Sequence, residues 1–478
     1  MARVVVLGAG ISGHTAAAFA RKWLAKRDDV VVISPLSHYN WIPSNIWVGV
    51  GLLRKEQVMV PLAPIYSRAG IDFKQARAVA LYPDEREVEI EWTSDAAAGR
   101  RERIRYDFLI NATGPKLNFG ATEGLGPDRH SLSVCTAEHA EQTARVFLEE
   151  VERMKRGERR RFLIGVGHGS CTCEGAAFEY VVNLEFELRA HGVRDKADIL
   201  FLTNEYELGD FGVDGMHIRQ GGFITPGKIF AESLFAERGI QAVTRAHVRG
   251  LEAGLATIET LDGGVRDIGF DMAMLLPPFT GVGLKAFDAS GQEITSKVFA
   301  PSGFMKVDAD YEKKPYEQWR ARDWPRHYQS PVYSNLFAAG IAFAPPHPIS
   351  RLRTNAGGLM ISPAPPRTGM PSATIGKAVA RSIVDMLHGS ATPTRTASMA
   401  EMGAACVASA GANPFTGTAA AITVFPIVPD FERYPSYGRD LDFTFGEIGL
   451  AGHWIKILLH HMFLYKARLR PGWSLIPE

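Results

Sequence analysis

The sequence is poor in cysteine and balanced in charge. Its 478 residues include four cysteines, too few for a disulfide framework in a chain of this length. The formal net charge is +1, which gives no electrostatic case for nucleic-acid binding. No run of about 18 apolar residues is present, so we predict no membrane-spanning helix. Because Met1-Ala2-Arg3 leads directly into a predicted strand, we also expect no signal peptide.

A glycine-rich turn stands near the start of the chain. Residues 3–8 (RVVVLG) are β-branched and apolar without alternation, which predicts a buried parallel strand. A G-x-G-x-x-G turn follows, and then a predicted helix and a second strand over 29–34. Gly8 permits the tight turn, Gly10 lets the backbone approach a pyrophosphate, and Gly13 allows close packing of helix and strand. This unit predicts a dinucleotide site.

Two later stretches favour FAD over NAD at this first site. Residues 106–116 (YDFLINATGPK) and 333–344 (YSNLFAAGIAFA) each read as a strand that ends in small residues. Both resemble the strand ends that close the FAD site in flavoproteins with two dinucleotide folds. The second strand of the first unit ends in Ser34-Pro35, so it lacks the acid that usually binds the ribose.

A second glycine-rich turn lies near the middle of the chain. Residues 160–165 (RRFLIG) read as a strand, and the sequence GVGHGS follows. Cys171, Cys173 and Glu174 are then predicted in the first turn of the next helix. Because a carboxylate at Glu174 would repel a pyrophosphate, we expect a second Rossmann-like domain without a working NADH site.

At this point the chain resembles the sulfide:quinone oxidoreductases, relatives of flavocytochrome c sulfide dehydrogenase and type II NADH dehydrogenases. The resemblance covers most of the chain and marks a divergent subtype. It rests mainly on four stretches: IPSNIWVGVG at 42–51, ATGPK at 112–116, SVCTAEHAE at 133–141 and CEGAAFEY at 173–180.

The resemblance implies an α/β fold with two Rossmann-like (FAD/NAD(P)-binding) domains and a C-terminal amphipathic, membrane-associating region. The FAD-binding domain is expected to be split between residues 1–115 and 300–390. Residues 116–299 would form the second Rossmann-like domain, which carries the redox cysteines. Residues 391–478 would cover the flavin or meet the membrane.

The resemblance also implies an activity. The chain is expected to oxidise sulfide or a related sulfur species, such as a persulfide, through cysteine thiols, and to pass two electrons through FAD to a membrane quinone. One alternative is a type II NADH:quinone-like oxidoreductase. The other is a flavin-binding electron-transfer subunit of a larger complex, because the family's third cysteine is absent around Val298–Pro301.

The candidate catalytic residues are three cysteines and two proton carriers. Cys135 and Cys173 each stand at a predicted helix start, where a thiolate is stabilised. Cys171 and Cys173 are expected to form a strained redox pair; Cys135 as the partner, or one working cysteine alone, are the alternatives. His139 and Glu179 are candidates for moving protons. We expect no metal site, because no second ligand pair at zinc-like spacing is present.

The candidate cofactor site combines the glycine-rich turn, the flavin-wrapping stretch and the strand ends. The predicted FAD-binding residues are Gly8, Gly10, Ile11, Ser12, Gly13, Ser34, Pro43, Ser44, Asn45, Ala78, Ala112, Thr113, Gly114, Gly340 and Ile341. A lysine that the family often has in the proline-rich flavin loop is expected to be replaced by Ser372.

Residues 454–473 read as an amphipathic helix flanked by Trp454 and Trp473. One hypothesis places this helix in one membrane leaflet, with basic residues such as Lys456 and Lys466 meeting anionic lipid. The other docks it on the protein core. The first hypothesis predicts a peripheral (monotopic) membrane protein on the cytoplasmic side. Its partners would be the sulfur substrate, a quinone and the membrane surface, with no nucleic acid; self-association into a homo-oligomer stays open.

Overall fold

The computed structural model describes residues 1–95, 97–172 and 174–478, so Cys173 lies outside the described residues. The α-helices of the described part are α1 (Ile11–Trp23), α2 (Asn45–Gly49), α3 (Leu62–Ala69), α4 (Ala137–Lys155), α5 (Gly175–Ala190), α6 (Gly227–Arg238), α7 (Thr295–Val298), α8 (Gly369–Leu387) and α9 (Leu450–Ala467).

The strands follow in chain order. They are β1 (Arg3–Leu7), β2 (Asp29–Ser34), β3 (His38–Asn40), β4 (Met59–Pro61), β5 (Asp72–Tyr82), β6 (Glu87–Trp92), β7 (Arg101–Arg105), β8 (Phe108–Asn111), β9 (Lys116–Leu117), β10 (Arg160–Val166), β11 (Ala197–Leu202), β12 (His217–Gln220), β13 (Phe223–Pro226), β14 (Gln241–Val243), β15 (Ala246–Glu252), β16 (Leu255–Thr260), β17 (Val265–Gly269), β18 (Met272–Leu276), β19 (Phe279–Thr280), β20 (Lys285–Ala286), β21 (Leu336–Ala338), β22 (Ala404–Ala410), β23 (Thr418–Val424) and β24 (Gly446–Gly449).

The first sheet has the order β21-β8-β1-β2-β5-β6-β7, and β20 pairs with β5. The five strands from β21 to β5 are parallel, whereas β5, β6 and β7 form an antiparallel extension. Val4, Val5 and Val6 of β1 are fully buried, which is typical of an inner strand covered on both faces. Helices α1 and α8 pack against each other beside this sheet. The sheet therefore joins residues from the start of the chain to residues beyond 335.

The second sheet is parallel, with the order β14-β11-β10-β18. Helices α4 and α5 pack in one hydrophobic core with this sheet, and the antiparallel sheet β15-β16-β17 packs in another. Helix α5 begins at Gly175, so Cys171 precedes the helix. The prediction that Cys171 lies in the first helical turn is wrong, because Thr172 next to it forms a β-bridge with Ala364 and the helix begins only at Gly175.

The C-terminal part contains the antiparallel sheet β22-β23-β24 and helix α9. This sheet contacts α5 through β22, and α9 packs on β22 and β23. Helix α9 ends at Ala467, six residues before the predicted end, and Trp473 instead packs edge-on against Phe19 of α1 with ring centroids 4.8 Å apart. Among the described helices, none has both the length and the hydropathy to cross a membrane.

Candidate active site

The carboxyl ends of β1, β8 and β21 meet at one edge of the first sheet, because these strands are parallel neighbours. The glycines here are packed against backbone. A Cβ added to Gly8 would lie 2.2 Å from the Ala112 oxygen, and one added to Gly13 would lie 2.1 Å from the Gly8 oxygen. A Cβ on Gly340, whose φ is +64°, would lie 2.6 Å from the Ser12 Cβ. The three strand ends therefore fit together only with glycine at these positions.

Gly10 differs, because a Cβ added there would meet no protein atom within 4 Å. The Ser12 side chain is 7% exposed and its hydroxyl has no partner. The Thr368 hydroxyl at the start of α8 is also buried without a partner. Gly369 of α8 faces Ile11 of α1, so two helix N-termini converge here. Free amides, unpaired hydroxyls and open space fit the pyrophosphate of FAD.

The other predicted cofactor residues of the first sheet lie at or near this edge. Ser34 ends β2, and its hydroxyl accepts a hydrogen bond from the Leu36 amide at 3.3 Å. The Thr113 hydroxyl donates to Asn111 at 2.8 Å, and Gly114 follows with a φ of +69°. Ile341 follows Gly340 in a 3₁₀ turn. Half-buried Ala78 lies in β5, opposite Ile90 of β6.

The predicted flavin-wrapping stretch leads into α2. Pro43 and Ser44 lie in a 3₁₀ turn, and Asn45 begins the helix. The Ser44 hydroxyl is 2.8 Å from His460 Nδ1, whereas the Asn45 amide donates to Asn40 at 3.0 Å and to the Val134 carbonyl at 3.2 Å. These bonds tie α2 to α9 and to the segment that carries Cys135.

Arg367 is a site residue that the sequence did not identify. Its guanidinium donates to the carbonyls of Ile341 and Phe343 and lies 4.2 Å from the ring centroid of Phe304. Burial lowers its pKa to about 9. The Ser372 hydroxyl donates to the Thr368 carbonyl at the start of α8, and Arg367 supplies a cation to this loop. The sequence signal that could have identified Arg367 was the presence of a basic residue in the proline-rich flavin loop.

The thiol of Cys171 is sealed from solvent. The residue is 1% exposed, and its Sγ donates to the Leu276 carbonyl at 3.2 Å. Burial raises its pKa to about 12 and raises that of Cys135 to about 11. The Cys135 thiol lies near enough to contribute to the shift at Cys171. The expectation that helix starts would favour these two thiolates is therefore wrong, because desolvation outweighs the effect of the helix.

The backbone around Cys171 is held from two sides. The Asn204 side chain, just beyond β11, donates to the carbonyls of Gly169 and Cys171 at 3.0 and 3.1 Å. The Ala364 amide also donates to the Cys171 carbonyl at 3.0 Å. The backbone of the loop before α5 is therefore fixed by hydrogen bonds to the Gly169 and Cys171 carbonyls, in addition to the bond from the Cys171 thiol.

The segment 360–365 covers the second glycine-rich turn. The Ser362 amide donates to the Gly169 carbonyl at 2.9 Å, and a Cβ on Gly169 would lie 2.7 Å from the Met360 oxygen. Upstream of it, the Arg353 guanidinium lies 3.6 Å from the ring centroid of Tyr206, just beyond β11. Protein atoms thus fill the space above this turn, in contrast to the open space at Gly10.

Glu174 does not face the turn. Its carboxylate accepts a hydrogen bond from the Gly209 amide at 3.0 Å, and burial raises its pKa to about 7. The Glu174 carboxylate is therefore bonded away from the second glycine-rich turn, whereas the segment 360–365 lies against that turn.

The two predicted proton carriers have different surroundings. His139, in the first turn of α4, is half-buried, packs edge-on to Phe119, and has an Nδ1 atom without a partner. Burial lowers its pKa. Glu179 of α5 is buried and accepts hydrogen bonds from Lys456 Nζ at 2.9 and 3.0 Å. Burial raises the pKa of Glu179, and Lys456 opposes that rise.

Helix α9 differs from the membrane hypothesis in the placement of its lysines. Lys456 and Lys466 are buried, at 7% and 6% exposure, so the expectation that they meet lipid is wrong. Trp454, Ile455 and Leu458 instead lie in solvent, and Leu458 is 58% exposed. With Phe415 and Ile448 they form an outer apolar surface, in which the Trp454 indole donates to the Pro414 carbonyl at 2.7 Å.

These features define the class of protein. Two parallel α/β sheets, each with a glycine-rich turn after its central strand, are typical of oxidoreductases with two dinucleotide folds. Residues 2–193 match the family model of the pyridine nucleotide-disulphide oxidoreductases. The described residues hold no cluster of three His, Cys, Asp or Glu side chains able to bind a metal ion.

More specific similarity covers nearly the whole chain. The sulfide-quinone reductase of Aquifex aeolicus (strain VF5) is 29% identical over 465 residues, which are 97% of this chain and 91% of the relative. The X-ray structure of the sulfide:quinone oxidoreductase from Aquifex aeolicus matches with a TM-score of 0.75 and 27% identity, over 98% of this chain and 92% of that one. The predicted resemblance to the sulfide:quinone oxidoreductases is confirmed, as is the prediction of an enzyme that resembles them.

More distant structures share the fold. NDH2 from Plasmodium falciparum, in complex with RYL-552, matches with a TM-score of 0.62 and 12% identity, over 99% of this chain and 97% of that one. At this identity the match shows the fold alone.

The open space at Gly10 leads to a test of the cofactor site. We expect Gly10→Val to reduce bound FAD to a trace while the protein still folds, because the added side chain enters the space for the pyrophosphate and its Cβ meets no protein atom within 4 Å. Absorbance at 450 nm would measure the flavin, and far-UV circular dichroism the fold. Gly250→Val is the matched control, since its Cβ would lie 3.9 Å from the Glu123 oxygen and outside the site. Full flavin in Gly10→Val would contradict the placement.

Proposed function

We propose that this protein is an FAD-dependent oxidoreductase that oxidises sulfide, or a persulfide, and passes two electrons to a membrane quinone. The observation that carries the proposal is the similarity over 97% of the chain to a protein named sulfide-quinone reductase. This chemistry needs a flavin site and a site for sulfur. The open space at Gly10 and the cysteine loop before α5 would supply them.

The chain's own residues would bind FAD at the first sheet. The amides at the starts of α1 and α8, with the hydroxyls of Ser12 and Thr368, would hold the pyrophosphate. Arg367 would place a positive charge beside Ile341 at the end of β21. FAD, when bound, supplies the two-electron carrier between the sulfur and the quinone.

The cysteines would take up the sulfur. In the proposed step, HS⁻ attacks a disulfide, so that a new S–S bond forms, the cysteine S–S bond breaks, and one thiolate leaves. We infer that the pair is Cys171 and Cys173; Cys135 remains the alternative partner, since it lies near Cys171. Because the Cys171 thiol has a pKa of about 12, it stays protonated at neutral pH and does not act as the nucleophile itself.

The structure disfavours NADH as the electron donor. A pyrophosphate at the second glycine-rich turn would overlap the segment 360–365, whose backbone is bonded to Gly169 and Cys171. Moving this segment to admit NADH would break the hydrogen bonds that hold the cysteine loop. A flavin-binding electron-transfer subunit needs neither an NADH site nor redox cysteines, so the activity itself separates this alternative.

We further propose that the outer apolar surface of α9 binds the membrane, which would make this a peripheral protein with direct access to quinone in the bilayer. Exposed tryptophan and aliphatic side chains on one helix face are typical of interfacial helices. The polar face of α9 is occupied by contacts inside the protein, so the apolar face is the one left for lipid.

The activity is tested by steady-state kinetics with the flavin-loaded protein. We expect sulfide-dependent reduction of a soluble quinone, and no NADH-dependent rate above the donor-free blank. Activity with NADH in place of sulfide would favour the NADH:quinone alternative. Activity with neither donor would favour the electron-transfer subunit.

The redox pair is tested by four serine variants. We expect Cys171→Ser and Cys173→Ser each to lose sulfide-driven flavin reduction, because either change removes the disulfide. Cys406→Ser in β22 is measured alongside them. Stopped-flow absorbance under anaerobic conditions provides the measurement. An unmodified rate in Cys171→Ser, with loss in Cys135→Ser, would move the pair to Cys135.

Membrane binding is tested without truncating the chain, since α9 has buried contacts. We expect the triple variant Phe415→Ser, Ile455→Ser, Leu458→Ser to bind liposomes at least about tenfold more weakly, because three exposed apolar side chains are lost. Activity with a soluble quinone should remain. The control replaces two other exposed apolar residues by serine, Leu36 in the loop after β2 and Val265 in β17. Equal sedimentation of the triple variant and the parent with liposomes would rule out this surface.

A further inference from the structure

Helix α9 connects the outer apolar surface to the helix that follows the cysteine loop. Lys456 points inward from α9 and meets Glu179 of α5 with both carboxylate oxygens within 3.0 Å of its Nζ atom. Both residues are at least nine-tenths buried. A buried charge is stable only when it is paired, so each of these residues depends on the other.

Other groups around Glu179 contribute less charge. From β22 the Ser409 amide lies 3.5 Å from a carboxylate oxygen, and the Ser409 hydroxyl is 2.6 Å from Nδ1 of His453 on α9. The Nε2 atom of that histidine donates to the Asn413 carbonyl at 2.9 Å. From α2, the Trp47 ring lies 5.9 Å from the ammonium of Lys456. Lys456 is thus the cation in direct contact with Glu179 among the described residues.

We propose that Lys456 is a positioning residue that keeps the Glu179 carboxylate ionised in a buried site, so that Glu179 can take up the proton released during sulfur oxidation. The identity of that reaction rests on the function proposed above. Its balance is simple: the persulfide formed by HS⁻ gives its proton to Glu179, which becomes a carboxylic acid, while the thiolate keeps the electron pair of the broken bond.

The position of Lys456 on α9 gives this arrangement a second consequence. Trp454, Ile455 and Leu458 on the outer side of the same helical turns form much of the outer apolar surface. A helix displaced from the protein would take Lys456 away from Glu179. The ionised state of Glu179 therefore requires α9 to be docked.

The test compares Lys456→Met with Lys466→Met in the full-length, flavin-loaded protein. Lys466 is an equally buried lysine of α9, but it pairs with Glu478. Without Lys456, the pKa of Glu179 should rise by about one to three units, the usual effect of an opposite charge at this distance. Since only the ionised carboxylate accepts a proton, the acid limb of the pH profile for sulfide-driven flavin reduction should move to higher pH by the same amount. Lys466→Met should leave that limb in place.

Two further variants separate this role from a merely structural one. Lys456→Arg keeps the charge and should return the acid limb toward its original pH. Glu179→Gln should remove the limb, and adding Lys456→Met to it should cause no further shift. If Lys456→Met folds poorly, Lys456→Gln, which still donates to the carboxylate without a charge, takes its place.

A second readout does not depend on sulfide. Infrared titration of the protonated carboxyl band that Glu179→Gln removes should show the same upward shift in Lys456→Met. A parent protein inactive with sulfide would refute the proposed function, and the infrared titration would still decide the role of Lys456. An unshifted carboxyl band, or an unshifted acid limb in an active Lys456→Met enzyme, would overturn the proposal.

Discussion

The need to pair buried charge governs the C-terminal half of this structure. Lys456 on α9 lies inside the protein because Glu179 on α5 is there, and neither charge could stay buried alone. The same face of α9 carries His453 and His460, which contact Ser409 and Ser44. With its polar face committed to these partners, α9 presents mostly apolar side chains outward, beside the exposed His461. One ion pair thus fixes both the docking of the helix and the character of the exposed surface.

Sequence patterns predicted the local units well. The strand, turn and helix around Gly8, Gly10 and Gly13 follow from short-range signals, namely a β-branched run, three spaced glycines and a helix-forming stretch. The strand predicted at 160–165 is observed as Arg160–Val166 for the same reason. Such units depend on a few adjacent residues, so their sequence is sufficient to identify them.

Properties set by distant residues were not predictable in this way. A helix start stabilises a thiolate, but the described thiols at Cys135 and Cys171 are surrounded by apolar groups from remote parts of the chain, and the loss of solvent dominates. The prediction that the α9 lysines face lipid was wrong for a similar reason. A helix with polar and apolar residues interspersed does not reveal by itself which face packs on the protein. The spacing of His453, Lys456 and His460 on one face was the available signal.

The contrast between the two glycine-rich turns shows how one local pattern acquires two roles. At Gly10 the space beyond the backbone is open, whereas at Gly169 it is filled by Met360 and its neighbours. The covering segment follows β21, nearly two hundred residues after the turn that it closes. By closing that turn, it also bonds the loop of Cys171 from the other side. The contacts that fill the position of a second nucleotide are therefore also the contacts that hold the cysteine loop.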